Sequence, residues 1–269
     1  MKTEHTLKLL EYALGNALRA FSTTRAGGVG SGSYGTFNIT HYCGDTPEHV
    51  QANRQLLCTE LGIADDRLLL PHQTHGDRVL TIDTDFLALP EARRTAEMES
   101  VDALVTDIKG VCIGVSTADC VPILLYDPTH QAIAAVHAGW RGTVKKIVAR
   151  AIATMTEKYG TRPAELRAVV GPSISAAAFE VGDEVYDAFS AAGFPMTNVA
   201  RRYPAAGGAE KWHIDLWAAN VCTLEAAGVE LANLMVAGIC TYTESDRFFS
   251  ARRLGINSGR IFNGIMLKN

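Results

Sequence analysis

Apolar positions recur at helical spacing in two segments that also carry start and stop signals. The first begins near Thr46, which suits an N-cap, continues with Pro47 at the first helical position, and ends at Gly62. The second follows Gly142, with apolar residues three and four apart, and closes at Gly160. A weaker form of the same pattern predicts helices over residues 182–192 and 214–227.

Short β-branched runs bounded by turn residues predict the strands. They cover residues 101–106, 111–117, 121–126, 132–137, 166–170, 234–239 and 260–266. Several of these runs follow one another before any helix, so strict βαβ alternation is absent from this part of the chain. We therefore predict mixed β-sheets in an α+β or layered α/β architecture.

Three polar or glycine-rich segments are predicted to be loops, at residues 26–34, 89–100 and 201–210. None of them is long enough to serve as an interdomain linker. The whole chain, residues 1–269, is therefore predicted to form a single domain. With 47% hydrophobic and 20% charged residues, it can bury a proper core, which excludes a disordered protein.

The net charge and the lengths of the apolar runs limit the partners and the cellular compartment expected for this protein. The net charge of −4 gives no electrostatic case for binding nucleic acid or an anionic membrane. No apolar run approaches the ~20 residues of a membrane helix, and Glu4 and Glu11 interrupt the N-terminal stretch that a signal peptide would need. Six cysteines without close pairs are expected to be reduced. We expect a soluble cytoplasmic protein, whose oligomeric state the sequence does not fix.

One glycine-rich segment matches the dinucleotide-binding pattern G-x-G-x-x-G at residues 30–35. That interpretation needs a strand before the glycines and a helix after them, whereas residues 36–40 look like a strand. We therefore interpret the segment as a flexible loop. It could close over a substrate, with Arg25 at its base as a forked, permanently charged donor.

Histidines and a cysteine beside chain reversals are the candidates for chemistry. His72 and His75 lie between a proline and a glycine, in an extended or turn segment where residues three apart face opposite ways, so only one should face a given site. Cys120 lies at a strand break, and His137 lies at a strand-to-helix junction. Spacing alone leaves two alternatives for Cys120 and His137, a thiolate–imidazole dyad or a shared metal.

The distribution of histidines argues against oxidative copper chemistry. A multicopper oxidase builds its trinuclear centre from several His-x-His pairs, and the eight histidines of this chain form none. A mononuclear blue-copper site would need two histidines and a cysteine, which are present, but a single copper would not reduce dioxygen to water.

Long motifs in a fixed order give the chain a specific resemblance to a known family. They are PHQTHGDRV (71–79), DALVTD (102–107), TADCVPILLYDP (117–128), AVHAGWRGT (135–143) and VGPSI (170–174). Flanking matches are FSTTRAGGV (21–29), FNITHYCGD (37–45), VQANRQLL (50–57) and FFSARR (248–253). They resemble the laccase-domain family, also called the polyphenol oxidase or peptidoglycan editing factor family, whose members include zinc-dependent purine nucleoside phosphorylases.

The resemblance implies a layered αββα fold and a metal on His75, Cys120 and His137. Two histidines and one thiolate leave a fourth tetrahedral position open, as in catalytic zinc sites; copper is the alternative metal. The implied substrates are purine nucleosides and phosphate. The implied reactions are phosphorolysis of adenosine, inosine, guanosine and methylthioadenosine, together with deamination of adenosine.

Four further residues receive roles within this hypothesis. Asp119 is the candidate proton shuttle for deamination. Arg54 and Arg25 are the candidate ligands of phosphate, and Gln73 could hydrogen-bond the purine or the ribose. The chain departs from the family at Ala251, where a tyrosine often stands, and at AAAFEVG (176–182), which lacks a common cysteine. Both departures concern pocket walls or packing and put substrate preference in question.

Three other functions remain as alternatives at this point. The first is a copper-dependent, laccase-like polyphenol oxidase, which is the older assignment of the family. The second is a metal-free hydrolase that uses Cys120 and His137. The third is an editing factor that acts on peptidoglycan precursor synthesis through a partner.

Overall fold

Strands and helices alternate irregularly in the computed structural model, which describes residues 6–204, 208 and 210–269. The strands are β1 (Leu9–Glu11), β2 (Leu18–Thr23), β3 (Leu68–Leu69), β4 (Val79–Thr81), β5 (Ala103–Thr106), β6 (Cys112–Thr117), β7 (Val121–Asp127), β8 (Ala132–Ala138), β9 (Arg167–Val170), β10 (Glu180–Val181), β11 (Ala200–Pro204), β12 (Glu210–Ile214), β13 (Leu234–Val236) and β14 (Ile261–Leu267). The helices are α1 (Pro47–Leu61), α2 (Thr84–Ala88), α3 (Glu91–Glu97), α4 (Trp140–Val144), α5 (Ile147–Tyr159), α6 (Asp183–Ala191), α7 (Met196–Val199), α8 (Leu216–Ala226) and α9 (Ala251–Leu254). Within this described part, no helix is both long and apolar enough to cross a membrane.

The strands form two large sheets and a small one. Their spatial orders are β1-β2-β14-β6-β3, β13-β9-β7-β8-β5-β4 and β10-β12-β11. Both large sheets are mixed: β3 runs parallel to β6, β13 to β9 and β4 to β5, while the other neighbours are antiparallel. The succession β5 to β8 without an intervening helix produces this mixture, so the predicted mixed α and β fold is confirmed.

The large sheets stack face to face, and helices cover their outer faces. Alternation along β7 makes the layers visible, because successive side chains of a strand point to opposite faces. Leu124 lies in the buried cluster that contains Ile265 of the five-stranded sheet, whereas Ile123 lies in the cluster that contains Val148 of α5. On the far side, Leu57 of α1 packs against the five-stranded sheet. The order of layers is helix, sheet, sheet, helix, which is the αββα arrangement that the resemblance implied.

All four predicted helices are present, and one of them is divided. Helix α1 begins at Pro47 and ends before Gly62, which adopts the left-handed conformation expected of a C-cap glycine. The helix predicted after Gly142 already begins at Trp140 and is divided into α4 and α5, because Lys146 has a left-handed φ of 58°. The assignment of the whole chain to one domain stays a prediction.

Three predicted segments differ from the structure. Residues 36–40 form no regular strand, since the Thr36 and Phe37 amides both donate to the Arg25 carbonyl. Residues 89–100 are not a loop but contain α3, which follows Pro90 and is polar on all sides, so no apolar periodicity marks it. Of the predicted loop 201–210, residues 201–204 lie in β11 and residue 210 begins β12; residues 205–207 and 209 lie outside the described residues.

The packing of β7 gives a first prediction. Ile123 is 0% exposed, so Ile123→Val removes one buried methyl group and should lower the free energy of unfolding by about 0.5–1.5 kcal/mol. The same substitution at Ile256, which is 71% exposed, should leave it unchanged. Urea unfolding of the two variants measures the difference. Equal midpoints would contradict the assignment of Ile123 to the core.

Candidate metal centre

The predicted ligands meet at one end of the six-stranded sheet. Cys120 directly precedes β7, and His137 is the penultimate residue of β8; Val121 pairs with Ala138 across the two strands. The chain reverses between β6 and β7 at Asp119, whose φ is 88°. His75 arrives from the segment between β3 and β4, where it adopts a φ of 62°. Three separate parts of the chain thus supply the three side chains.

The three side chains converge closely enough to share one ion. One potential ligand atom from each lies within 4.8 Å of the others. His75 Nε2 is 3.7 Å from Cys120 Sγ, and the two imidazole rings are 4.8 Å apart in an edge-to-face arrangement. His137 is buried, Cys120 is half-buried and His75 is exposed. The site is therefore closed on the His137 side and accessible on the His75 side.

The chemistry of the donor set fits a metal ion. Two imidazole nitrogens and one thiolate are borderline-soft ligands suited to zinc or copper. Around a tetrahedral zinc such atoms would stand roughly 3.3–3.8 Å apart, and the 3.7 Å between His75 and Cys120 agrees with that spacing. In the described parts of the chain, no other group of three His, Cys, Asp or Glu side chains converges in this way. A trinuclear copper centre therefore has no counterpart among those residues.

A buried carboxylate links the two histidines. Asp102, just before β5, accepts a hydrogen bond from His137 Nδ1 at 2.7 Å. It also accepts from the backbone amides of Thr74, His75 and Gly76, at 3.3, 3.0 and 2.7 Å. Because Nδ1 of His137 is used in this hydrogen bond, Nε2 is the ring nitrogen that can bind a metal. In the sequence, Asp102 was visible only as part of the motif DALVTD, and no role was predicted for it.

Charges within the site favour the thiolate. Burial alone would raise the pKa of Cys120, but the charge of His137 and hydrogen bonds from His137 and His75 lower it to about 6. Burial would lower the pKa of His137, but the Cys120 thiolate and the hydrogen bond to Asp102 raise it above its ordinary value. Thiolate and imidazolium stabilise each other in the metal-free protein, and a bound cation would take the place of the proton.

His72 faces away from this centre. Its Nδ1 lies 2.7 Å from Glu99 Oε2, and its ring packs on Tyr42 with 4.6 Å between centroids. The expectation that only one of His72 and His75 faces a given site is therefore confirmed. The segment is not extended throughout, because it bends at His75, whose φ is 62°, and this bend separates the directions of the two side chains.

Asp119 and Gln73 lie near the centre with their polar atoms already engaged. The Asp119 carboxylate accepts hydrogen bonds from the Thr241 hydroxyl and the Arg252 amide, both at 2.7 Å. The Gln73 side chain donates to the Ser116 carbonyl at 2.9 Å and accepts from the Ser116 amide at 2.7 Å. Each Asp119 oxygen keeps a further lone pair, and the Gln73 NH₂ group keeps a second hydrogen, so both residues can still accept or donate within the site.

The two arginines occupy separate positions. Arg54 donates to Asp65 at 3.2 Å and to the Leu68 carbonyl at 3.0 Å, and it lines a cavity of about 730 Å³. Arg25 donates to the carbonyls of Gly35 and Ser245 and stacks over an aromatic ring. None of the three converging side chains lines the cavity beside Arg54. The structure therefore joins His75, Cys120 and His137 in one place but does not bring the arginines into direct contact with them.

Gly139 leaves no room for a side chain next to the centre. A Cβ atom there would lie 2.8 Å from His75 Cδ2 and 3.0 Å from Cys120 Sγ. Its φ of −63° and ψ of 167° suit any residue, so the constraint comes from space and not from the backbone. Sequence reasoning missed this role, although Gly139 lies within the quoted motif AVHAGWRGT.

Gly139→Ala should therefore weaken metal binding while the fold persists. The added methyl group must displace His75 or Cys120, and we expect zinc affinity to fall at least about tenfold, as for other disturbed ligand surroundings. Gly142→Ala is the control, since its Cβ meets nothing closer than 3.3 Å and none of the three side chains. Competition with a chromogenic chelator measures both affinities, and equal values for the two variants would contradict the crowding argument.

The lowered pKa of Cys120 gives a pH prediction for the metal-free protein. A thiol reacts only as its thiolate, so alkylation of Cys120 by iodoacetamide should rise through pH 6 and level off above pH 7. Burial raises the pKa of Cys222, whose alkylation should still rise about tenfold per pH unit between pH 7 and 8. Peptide-resolved mass spectrometry follows both cysteines in one sample. A parallel rise of the two rates above pH 7 would contradict the prediction.

Sequence comparison relates nearly the whole chain to known proteins. The model of a family described as multi-copper polyphenol oxidoreductase laccase matches residues 19–268. A purine nucleoside phosphorylase from Bacteroides thetaiotaomicron is 47% identical over 247 residues, covering 92% of this chain and 90% of the relative. Adenosine deaminase RL5, from an unknown prokaryotic organism, is 46% identical over 263 residues, covering 97% and 99%.

Solved structures share the fold. The hypothetical protein YfiH from Bacillus licheniformis superposes with a TM-score of 0.87 at 27% identity, covering 97% of this chain and 96% of that one. YlmD from Geobacillus stearothermophilus superposes with a TM-score of 0.86, also at 27% identity, covering 96% and 94%.

Proposed function

This chain belongs to the multi-copper polyphenol oxidoreductase laccase family, and we propose that it is a zinc-dependent purine nucleoside phosphorylase that also deaminates adenosine. The proposal takes the two reactions from the relatives named for them, which cover nine-tenths or more of this chain. It includes methylthioadenosine among the nucleosides. Purine nucleosides and phosphate are then the partners, and a cytoplasmic location stays a prediction.

The main support for the proposal is the convergence of His75, Cys120 and His137 at a site that is accessible on one side. Three protein ligands with a free fourth position are the arrangement of catalytic zinc sites, whereas structural sites use four protein ligands. The exposure of His75 and the half-burial of Cys120 leave a side by which a substrate can approach. When bound, zinc would supply Lewis acidity to that substrate.

Zinc is favoured over a multinuclear copper centre by the number of ligand clusters. Multicopper oxidases, which reduce dioxygen to water, use several copper ions, and the described residues offer one three-ligand cluster. The phenol-oxidising alternative would therefore have to work at a single ion, with no further metal centres to collect the four electrons from phenols that reduction of dioxygen to water requires.

The chain's own residues have distinct tasks in phosphorolysis. Phosphate attacks C1′ of the ribose while positive charge develops on the sugar, and the bond to the purine nitrogen breaks. Arg54 is the proposed holder of the phosphate dianion, because its Nη1 makes no hydrogen bond within the described residues while its other nitrogens are fixed. Arg25, anchored on two carbonyls, is the second proposed phosphate ligand.

Deamination needs a proton carrier beside the attacked carbon. Asp119 is the proposed carrier, next to Cys120 in the chain; a lone pair not used by the Thr241 hydroxyl or the Arg252 amide would take up the proton. Gln73 is proposed to hydrogen-bond the purine or the ribose through the second hydrogen of its NH₂ group, while its bonds to Ser116 hold it in place.

Product analysis tests the proposal. Zinc-loaded protein is incubated with adenosine or inosine, with and without phosphate, beside a Cys120→Ala control. We expect free base and ribose-1-phosphate only when phosphate is present, and inosine from adenosine in either case. Absence of all three products above the control level would overturn the proposed function.

A second candidate is supported by a specific contact. Cys120, His137 and Asp102 form a chain of thiolate, imidazole and carboxylate like that of cysteine hydrolases, and the pKa of Cys120 is lowered accordingly. Prolonged chelation separates the two functions. A metal-free hydrolase keeps its activity under chelation and loses it to iodoacetamide, whereas the proposed phosphorylase is inactivated by chelation alone.

A further inference from the structure

We infer that Asp102 is the positioning residue of the metal site, because its single carboxylate holds both the ring of His137 and the backbone that carries His75. This inference rests on the proposed function, since it takes His75, Cys120 and His137 as the metal ligands. Asp102 itself would touch neither metal nor substrate and would act through the two histidines.

Both oxygens of Asp102 are fully used. Oδ1 accepts from His137 Nδ1 at 2.7 Å and from the His75 amide at 3.0 Å. Oδ2 accepts from the Gly76 amide at 2.7 Å and from the Thr74 amide at 3.3 Å. The residue is 0% exposed, so water does not compete for these oxygens. One side chain therefore connects two ligands that lie 62 positions apart in the sequence (137 − 75).

For His137, the contact selects the atom that can bind a metal. A proton on Nδ1 that is donated to the carboxylate leaves Nε2 as the lone-pair nitrogen. The backbone reinforces this geometry, because the His137 amide donates to the Asp102 carbonyl at 2.8 Å. Asp102 thus holds His137 twice, through its ring and through its backbone amide.

For His75, the contact supports an uncommon backbone conformation. His75 has a φ of 62°, in the left-handed region that few residues other than glycine adopt. Three consecutive amides, of residues 74 to 76, point to the Asp102 carboxylate. Without the Asp102 carboxylate, three N–H groups would lose their acceptor together. The cost of leaving them unpaired would favour a different backbone conformation of this segment.

A carboxylate is required here because every partner is a donor. In Asp102→Asn the size is preserved, but one oxygen becomes an NH₂ group, which can only donate. Placed toward Gly76 and Thr74, the NH₂ group would face two amides that also donate. Placed toward His137 and His75, it would oppose the His137 Nδ1 proton. The amide variant therefore loses two of the four hydrogen bonds in either orientation.

The chain offers a matched control in Asp127 at the opposite end of β7, about 20 Å away by strand rise. Asp127 is also 0% exposed and accepts from His130 Nδ1 at 2.8 Å. It further accepts from the amides of Thr129 and His130, at 2.9 and 3.1 Å. Asp127→Asn thus disturbs the same kind of buried carboxylate–histidine contact without touching the metal ligands.

The test compares zinc affinity and cobalt spectra of the whole protein with Asp102→Asn and Asp127→Asn. Zinc affinity is measured by competition with a chromogenic chelator, and Co²⁺ loading reports the thiolate charge-transfer band. We expect zinc to bind roughly 10- to 100-fold more weakly in Asp102→Asn, with an altered cobalt spectrum. Asp127→Asn should match the wild type in both measurements, whatever its thermal stability.

The outcomes separate the inference from the function on which it rests. If the wild type binds zinc and phosphorolyses inosine while Asp102→Asn binds zinc as tightly, the positioning role is overturned and the proposed function stands. If the wild type neither binds zinc nor acts on nucleosides, both are overturned. A loss of affinity in Asp127→Asn equal to that in Asp102→Asn would also overturn the specific role of Asp102.

A measurement on the unaltered chain covers the case in which Asp102→Asn does not fold. In ¹⁵N-histidine-labelled, zinc-loaded wild type, NMR should show His137 with a proton on Nδ1 and the metal on Nε2. The opposite tautomer would overturn the inference without any substitution.

Discussion

Cys120→Ala should abolish zinc binding and lower phosphorolysis and deamination together by roughly 10³-fold. Cys120 supplies the only thiolate of the cluster, and its loss leaves two histidines, which hold zinc poorly at neutral pH. The magnitude follows from the several kcal/mol that a catalytic metal contributes, at about 1.4 kcal/mol per tenfold change in rate. Steady-state rates with inosine plus phosphate, and with adenosine alone, measure the two losses.

The control for this prediction is Cys222→Ala, the same substitution at a half-buried cysteine of helix α8. It should keep full activity and one zinc per chain. If Cys120→Ala retained either activity at the level of Cys222→Ala, that reaction would take place elsewhere on the molecule.

Removing the metal should lower the melting temperature of the wild type by about 8–16 °C. An ion that binds only the folded state at about 1,000 times its Kd stabilises that state by ~4 kcal/mol. For a chain of this size, each kcal/mol corresponds to about 2–4 °C. The ligands come from three separate parts of the chain, which the unfolded state cannot hold together, so the folded state alone binds strongly.

Calorimetry with and without added zinc measures this shift. In Cys120→Ala the two melting temperatures should coincide, because the site has lost its thiolate. A shift of the same size in both proteins would mean that zinc stabilises the fold through another location.

Much of the fold could be predicted because local signals and tertiary structure agree. Helix α1 carries Pro47 at its start and Gly62 at its end, and both act as expected. The strands between residues 101 and 138 are apolar on both faces, since they lie between a second sheet and a helical layer, and such runs are conspicuous in a sequence.

Other elements could not be predicted because their stability comes from contacts rather than from local pattern. Helix α3 has no apolar face. Phe37 and Ile39 alternate like a buried strand and are 1% exposed, yet the backbone around them bonds to loop carbonyls instead of a neighbouring strand. Alternation reports burial of side chains, and it does not report what the backbone pairs with.

In the site, the ligands predicted from chemistry and family motifs converge. The residues that support these ligands could not be predicted from the sequence. His75, Cys120 and His137 have side chains whose chemistry and sequence context already suggest a metal. Asp102 and Gly139 have no such mark: their importance lies in which atoms they meet, and only the folded chain brings those atoms together.

The most direct test of the proposed function is a zinc titration of the chelated protein, with the inosine phosphorolysis rate read at each addition. Activity should rise from near zero in proportion to bound zinc and saturate at one zinc per chain. Full activity before any zinc is added, or full zinc binding with no activity, would contradict it.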